Sequence, residues 1–342
     1  MECRVLIIGS GPAGMSAANA LKGMDGVCVL ERLTDRVFGR YHSVCGEAVS
    51  ERMCRLAGID RESMVSDADA ISISFPGGVD IRVPVRGHII DRPGMLRRMR
   101  ENCGAELVRG TAVSVREEDG GYVVSTTAGE IRCRYLIGAD GAHSVVRRDV
   151  FGSEPSGMLP VVNTLSPGDG GSVLAFTVGG GFDGFYSWRF PSKPGTVSIG
   201  FPKGAEEPDG VVSRGARHLP FGGVPRAVSG NAMLVGDAAG LANALCYGGI
   251  GAAMLSGKKA ADAVRRGRPE TYGRWYGRSI YRDPRFMEAH EAFSAWTDGD
   301  IEDAMEPFRR GYSLLRGARA MLRRPSYAGV YMAVWMALRF GW

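Results

Sequence analysis

The run CRVLIIGSGPAGMSAANALKG, close to the first residue of this 342-residue chain, restricts its fold more than any other segment. The apolar stretch over 3–8 reads as a buried strand, and the small residues from about 12 to 22 read as a helix. Between them Gly9, Gly11 and Gly14 take the G-x-G-x-x-G spacing. The first glycine makes the turn, the second lets backbone approach a pyrophosphate, and the third allows helix and strand to pack closely. A pyrophosphate would lie at the helix N-terminus, where unpaired N–H groups and the helix dipole favour an anion. A second apolar strand, VCVLE, ends at Glu31, seventeen residues after Gly14. A carboxylate at that point is placed to accept from ribose hydroxyls. Strand, glycine turn, helix, strand and terminal acid together predict a dinucleotide-binding α/β domain.

Two later segments separate the candidate dinucleotides. RYLIGADGAHSVVRR (134–148) is a strand followed by Asp140-Gly141 and a basic helix start. NAMLVGDAAGLANALCYGGIGAAMLSGKKAADAV (231–264) is a strand, then Gly236-Asp237, a glycine-rich loop and a long helix of small residues. Such strand ends place a carboxylate and bare backbone at the sheet's carboxyl edge, where ligands bind in open α/β folds. Asp237 suits the hydroxyls of a ribityl chain. The N–H groups around Gly249 and Ile250 suit the negative charge of a reduced flavin. Between these segments, residues 155–226 read as short strands separated by glycine and proline, joined by AISISFPGGVDIRVPV at 70–85. Within them, GFYSWRFPSKPG alternates Tyr186, Trp188 and Phe190, so one strand face carries three aromatics. On pattern alone, a sheet packed on its own core is an equal reading.

Composition excludes several other classes. The chain is 44% hydrophobic and 23% charged, the balance of a globular protein. Its fifty glycines, about twice the usual share, point to tight turns and close backbone–ligand approach. A net charge of +5, with no helix-turn-helix, zinc-finger or basic-tail pattern, argues against nucleic acid. Seven cysteines without a CxxC pair predict neither a metal centre nor a secreted disulfide framework. No signal peptide and no run of about 20 apolar residues is present, which predicts a cytoplasmic protein.

The nucleotide segments, in this order and spacing, resemble the FAD-binding core of the p-hydroxybenzoate hydroxylase-like flavoproteins over roughly residues 1–265. IIDRPGMLRRMRENCGAELVRGTAVSVR (89–116) adds to that likeness. It implies Arg92 facing the pyrophosphate and Val113 beside the adenine. The Y-x-W-x-F-P order at 186–191 and the C-G-E of YHSVCGEAVS (41–50) resemble the geranylgeranyl reductase family, flavoenzymes that saturate isoprenoid double bonds. Arg189 and the loop LANALCYGGI depart from that family's pattern, in which an apolar residue and a proline are common.

The resemblance implies FAD held by Gly9, Gly11, Ala13, Gly14, Glu31, Arg32, Cys45, Gly46, Ala48, Arg92, Val113, Asp140, Gly236, Asp237, Gly248, Gly249 and Ile250. It implies a prenyl pocket of Tyr186, Trp188, Phe190 and Cys246, with Cys45, Tyr186 and Trp188 as the catalytic residues and no metal. Cys45 keeps three readings: proton source, half of a labile pair with Cys246, or a small residue that fits. For Glu47 a solvated surface position is as good a reading as a role beside the flavin, and His42, a candidate acid near Cys45, is expected at the surface instead. The partners implied are a prenylated lipid, an external electron donor (a ferredoxin-like protein or NAD(P)H) and no nucleic acid. Three other functions share these motifs: an NAD(P)H-dependent aromatic monooxygenase, a flavin halogenase and a non-catalytic prenyl-lipid carrier.

Residues 268–342 read as helical. From Pro307 to Trp342 there is no acid, while Arg309, Arg310, Arg316, Arg319, Arg323, Arg324 and Arg339 are all basic. This pattern fits peripheral docking of 309–342 at the inner face of the cell membrane, or a terminal helix packed over the substrate domain. The expected fold is therefore α/β. It has a discontinuous Rossmann-type FAD-binding domain (1–69, 86–154 and 227–267), an inserted β-sheet substrate domain (70–85 and 155–226) and a helical C-terminal segment (268–342).

Overall fold

The computed structural model describes residues 1–182 and 184–342. The chain opens with β1 (Glu2–Ile8), α1 (Pro12–Ala20), β2 (Val27–Glu31) and α2 (Asp35–His42). It continues through β3 (Ala48–Ser50), α3 (Glu51–Ala57), the long hairpin of β4 (Met64–Phe75) and β5 (Val79–Ile90), and α4 (Arg92–Asn102). Next come β6 (Glu106–Arg109), β7 (Ala112–Glu118), β8 (Gly121–Thr126) and β9 (Gly129–Gly138). The middle of the chain gives β10 (Gly157–Pro167), β11 (Val173–Thr177), β12 (Ser187–Pro191), β13 (Thr196–Pro202) and β14 (Ser213–Phe221). It then returns through β15 (Val228–Ser229), β16 (Ala232–Leu234) and α5 (Ile250–Arg265). The remaining helices are α6 (Glu270–Gly277), α7 (Pro284–Ala295), α8 (Asp298–Met305), α9 (Leu314–Arg323) and α10 (Ala328–Phe340).

Two eight-stranded sheets result. In the first, β16, β9, β1, β2 and β6 run parallel, with β15 at one edge and the β7–β8 hairpin extending from β9. Val5, Leu6 and Ile7 are fully buried because β1 lies between two parallel neighbours and has helices over its faces. A Cβ on Gly14 would sit 1.9 Å from the Gly9 carbonyl oxygen, and one on Gly257 would sit 2.1 Å from that of Ala13. Glycine at these points lets α1 press onto both the turn and α5.

The second sheet runs β14-β10-β13-β12-β11-β4-β5-β3 and is antiparallel except where β11 meets β4. That parallel joint fastens the middle insertion to the earlier hairpin. The sheet extends beyond the expected 70–85, because β4 and β5 pair from Met64 to Ile90 and β3 adds to β5. A second core forms where this sheet meets α7, α8 and α10, with Phe286, Phe293, Ile301, Met305, Ala333 and Met336 buried together. The helical tail is thus half of a core.

Candidate active site

The ends of β1, β2, β9 and β16 frame a cleft at the carboxyl edge of the first sheet. Gly11 is the N-cap of α1 and Gly249 that of α5, and neither supplies a capping side chain, so the first N–H groups of both helices are left open. Glu31 is buried at the end of β2, its oxygens accepting from the Ser10 N–H and hydroxyl and from Leu33 N–H at 2.6 Å. Asp140 accepts from the Ser144 hydroxyl at 2.6 Å and the Val145 and Val146 N–H groups at 2.7 and 3.2 Å. Its carboxylate is therefore committed to fixing the turn after β9. Val113 sits at an irregularity in the β7–β8 pairing, 54% exposed, and its carbonyl accepts from Arg148. Ala13 and Gly236 touch: a Cβ on Gly236 would come within 2.9 Å of the Ala13 methyl.

Three features of the cleft fit FAD. Asp237 makes no side-chain hydrogen bond among the described residues and is exposed, yet the surrounding protein raises its pKa by desolvation, as expected for a carboxylate on a cleft floor. His42 faces Gly11, 3.6 Å from where a Cβ would be, and its Nε2 is buried with no partner. Around His42 gather Arg92, Arg217, Arg32 and Arg100. After burial, their charges help lower its pKa to about 3. Arg32 and Arg217 lie over the Tyr41 ring at 5.0 and 3.8 Å, and neither has a carboxylate partner among the described residues. Two cations without a carboxylate partner, Arg32 and Arg217, with a neutral imidazole beside a helix N-terminus suit a pyrophosphate.

The expectation that His42 lies at the surface is wrong: it is 7% exposed and packs on Phe38 and Tyr41. Glu47 is not a solvated acid either, being 7% exposed. Both side chains turn inward because α2 ends at His42 and the chain doubles back to β3. That reversal takes Glu47 to φ 55°, a left-handed conformation costly for any residue but glycine. Arg92 holds the reversal: its Nε donates to the His42 carbonyl at 2.6 Å and its Nη2 to that of Val44 at 3.3 Å. Expected at the pyrophosphate, Arg92 directs these donors to the loop. Gly46 is explained by packing, since a Cβ there would lie 2.6 Å from the Phe190 ring and 3.1 Å from Trp188.

Beneath this loop lies a cavity of about 190 Å³. Cys45, Gly46, Glu47 and Ala48 form one wall, and Tyr186, Trp188 and Phe190 another. Cys246, Gly248, Gly249 and Ile250 bring in the glycine-rich loop, and Val334, Ala337 and Leu338 of α10 close the space together with Trp342 beyond the helix. The Tyr186 hydroxyl donates to the Cys246 carbonyl at 2.6 Å, and Trp188 Nε1 donates to the Ser198 hydroxyl at 3.3 Å. Both polar tips are thus satisfied and their ring faces are left for the cavity. Cys45 and Cys246 line the same space as free thiols, and burial pushes the Cys246 thiol up to about 12.

Glu47 is the only acidic or basic side chain on the cavity wall among the described residues. Arg92 Nε lies 3.8 Å from its Oε1, which has no hydrogen-bond partner. Burial outweighs the pull of Arg92 and raises the Glu47 pKa to about 7.

A family model described as an FAD binding domain matches residues 91–166. The chain is an FAD-dependent oxidoreductase. Among curated relatives, a digeranylgeranylglycerophospholipid reductase of Methanothermobacter thermautotrophicus is 26% identical, covering 90% of this chain and 91% of its own. One from Methanopyrus kandleri is 27% identical over 77% and 80%, and a menaquinone reductase of Mycobacterium tuberculosis is 27% identical over 76% of each. Among solved structures, a geranylgeranyl bacteriochlorophyll reductase-like protein of Thermoplasma acidophilum superimposes with a TM-score of 0.75 at 18% identity, covering 96% and 97% of the two chains. The p-nitrophenol 4-monooxygenase of Pseudomonas putida gives 0.67 at 16% identity over 99% and 97%. The flavoprotein fold therefore serves both reductases and monooxygenases, and the fold does not choose between them.

Sequence reasoning missed several residues of this site. Phe176, Phe185 and Tyr247 extend the aromatic wall, with Phe185 stacked on Tyr186 at 4.6 Å and Tyr247 tilted against Phe185 at 4.5 Å. Tyr247 has φ 50°, and its hydroxyl lies 2.8 Å from His290 Nδ1.

Proposed function

We propose that this flavoprotein reduces isoprenoid carbon–carbon double bonds, drawing the prenyl chain of a lipid into the cavity between the Cys45–Ala48 loop and the aromatic wall. The observation that carries this reading is the cavity lining, apolar and aromatic throughout except for one carboxyl group with a pKa near neutrality. Several relatives are named for geranylgeranyl groups, which supports that substrate class. An archaeal-type ether lipid carrying geranylgeranyl chains is the substrate we favour.

FAD, when bound and reduced, supplies hydride. An unactivated double bond accepts hydride only if a proton reaches the neighbouring carbon, and positive charge develops between the two events. Glu47 holds that proton on a carboxyl oxygen below about pH 7, in a wall with no other carboxyl or basic side chain among the described residues. Trp188 and Tyr186 offer ring faces to the developing cation, an interaction of about 2 kcal/mol or more when water is absent. Each buried CH₂ of the chain adds roughly 0.8 kcal/mol of binding, so affinity comes from length and not from charge. Cys45 and Cys246 serve as small walls that admit the chain. The electron donor is external, a ferredoxin-like protein or NAD(P)H.

Stopped-flow mixing of the dithionite-reduced protein with a geranylgeranyl lipid, without oxygen, tests this. The flavin absorbance is expected to return at a rate that rises with lipid concentration. Binding without reoxidation would instead identify a lipid carrier. Reoxidation that needs oxygen and a phenol would identify a monooxygenase.

A further inference from the structure

Helix α9 inverts the usual arrangement of a surface helix. Gly317 and Ala320 face inward, allowing it to pack against α10, while Leu314, Leu315 and Leu322 face outward. These leucines are 69%, 86% and 85% exposed, the three highest values for large hydrophobic residues among those described. With 3.6 residues per turn, Leu314, Leu315, Ala318 and Leu322 fall within an arc of about 100°, one continuous apolar stripe. Water gives no reason for leucine to be outside while alanine and glycine are inside. Such a stripe marks a surface that is covered in use.

The charges bordering the stripe indicate what covers it. Arg319 and Arg323 lie along one side and Arg310 precedes the helix, and all three are exposed. None of the three side chains has a hydrogen-bond or ion-pair partner among the described residues. The nearby arginines are occupied, Arg309 with Glu302 and Glu306 and Arg324 with Asp303. No acid occurs between Pro307 and Trp342. Leucines flanked by free guanidinium groups make an interfacial helix: the apolar face enters the acyl boundary and the cations meet anionic headgroups. No helix among the described residues is long and apolar enough to cross a membrane.

We propose that α9 docks this protein on an anionic lipid bilayer. The surface that meets the membrane is α9, and the apolar run of α10 is turned to another purpose. Val330, Tyr331, Ala333, Met336 and Ala337 of α10 are buried, and its inner side lines the cavity. Two successive helices thus divide the work, one against lipid and the next against the pocket.

Flotation of the FAD-loaded full chain with phosphatidylglycerol vesicles tests the proposal, with phosphatidylcholine vesicles as the comparison. Binding to phosphatidylglycerol is expected, weaker on phosphatidylcholine and weakened by salt. A Leu315→Asp/Leu322→Asp variant is expected to lose binding about tenfold or more, and Arg319→Gln/Arg323→Gln to lose selectivity for the anionic lipid. Flavin content and Tm are expected to stay unchanged, since all four positions are exposed. Absence of wild-type binding, or full binding by the Asp variant, would overturn the proposal. So would a wild-type dimer on size exclusion that becomes monomeric in the Asp variant while vesicle binding persists, because the stripe would then belong to a second copy.

Discussion

Glu47 gives this site a titration that can be read twice. Its folded pKa of about 7 lies above the ordinary carboxyl value of 4.5, so the folded protein binds a proton more tightly than the unfolded chain. The sign follows: this contribution to stability is complete below about pH 4.5 and is lost as pH rises through about 7. A shift of that size corresponds to about 3 kcal/mol over the window. Glu47→Gln is expected to abolish that part of the pH dependence of Tm. In single turnovers it is also expected to slow substrate reduction at pH 6 by about 100-fold and remove the break near pH 7. Unchanged single-turnover rates would remove Glu47 from proton delivery. Gly46 makes a steric prediction. Gly46→Ala places a methyl group against Phe190 and is expected to cost about 1–3 kcal/mol in denaturant unfolding, because the loop cannot retreat without releasing Arg92.

At the scale of elements, β12 and the residue before it decide whether the cavity suits a prenyl chain. Tyr186, Trp188 and Phe190 all reach the cavity because alternate residues of an extended chain share a face. Trp188 is seated over Gly200, where a Cβ would fall 1.9 Å from its ring, so its position is fixed by its neighbour in β13. Trp188→Ala is expected to lower kcat/KM for a geranylgeranyl substrate by about 100-fold with FAD content unchanged, of which cation–π loss accounts for about 2 kcal/mol. Retained turnover would contradict the aromatic role.

These elements also mark what the sequence made legible. Local signals were sufficient for β1, α1, β2 and the three aromatics, since glycine spacing and two-residue alternation are written within short windows. The burial of Glu47 and His42 was not legible, because it depends on a chain reversal tied down by Arg92, fifty residues after His42. Nor was the division between α9 and α10. An apolar final helix looks like a membrane element until the core it completes, with Phe286, Ile301 and Met305, is known.

At the scale of the whole molecule, two sheets and a helical tail enclose one apolar cavity beside an FAD-binding cleft, with the glycine-rich loop before α5 shared between them. The architecture separates anion from lipid. Cations and open helix ends line the cleft, while aromatics, leucine and one carboxyl group line the cavity. This separation is the arrangement that the proposed reduction of a prenyl chain requires. The most direct test mixes the reduced protein with a geranylgeranyl lipid in the absence of oxygen and follows the lipid by mass spectrometry. The account predicts the gain of one H₂ for each double bond reduced, with one equivalent of flavin oxidised per H₂ added. An unchanged lipid mass, with turnover that instead consumes oxygen, would contradict it.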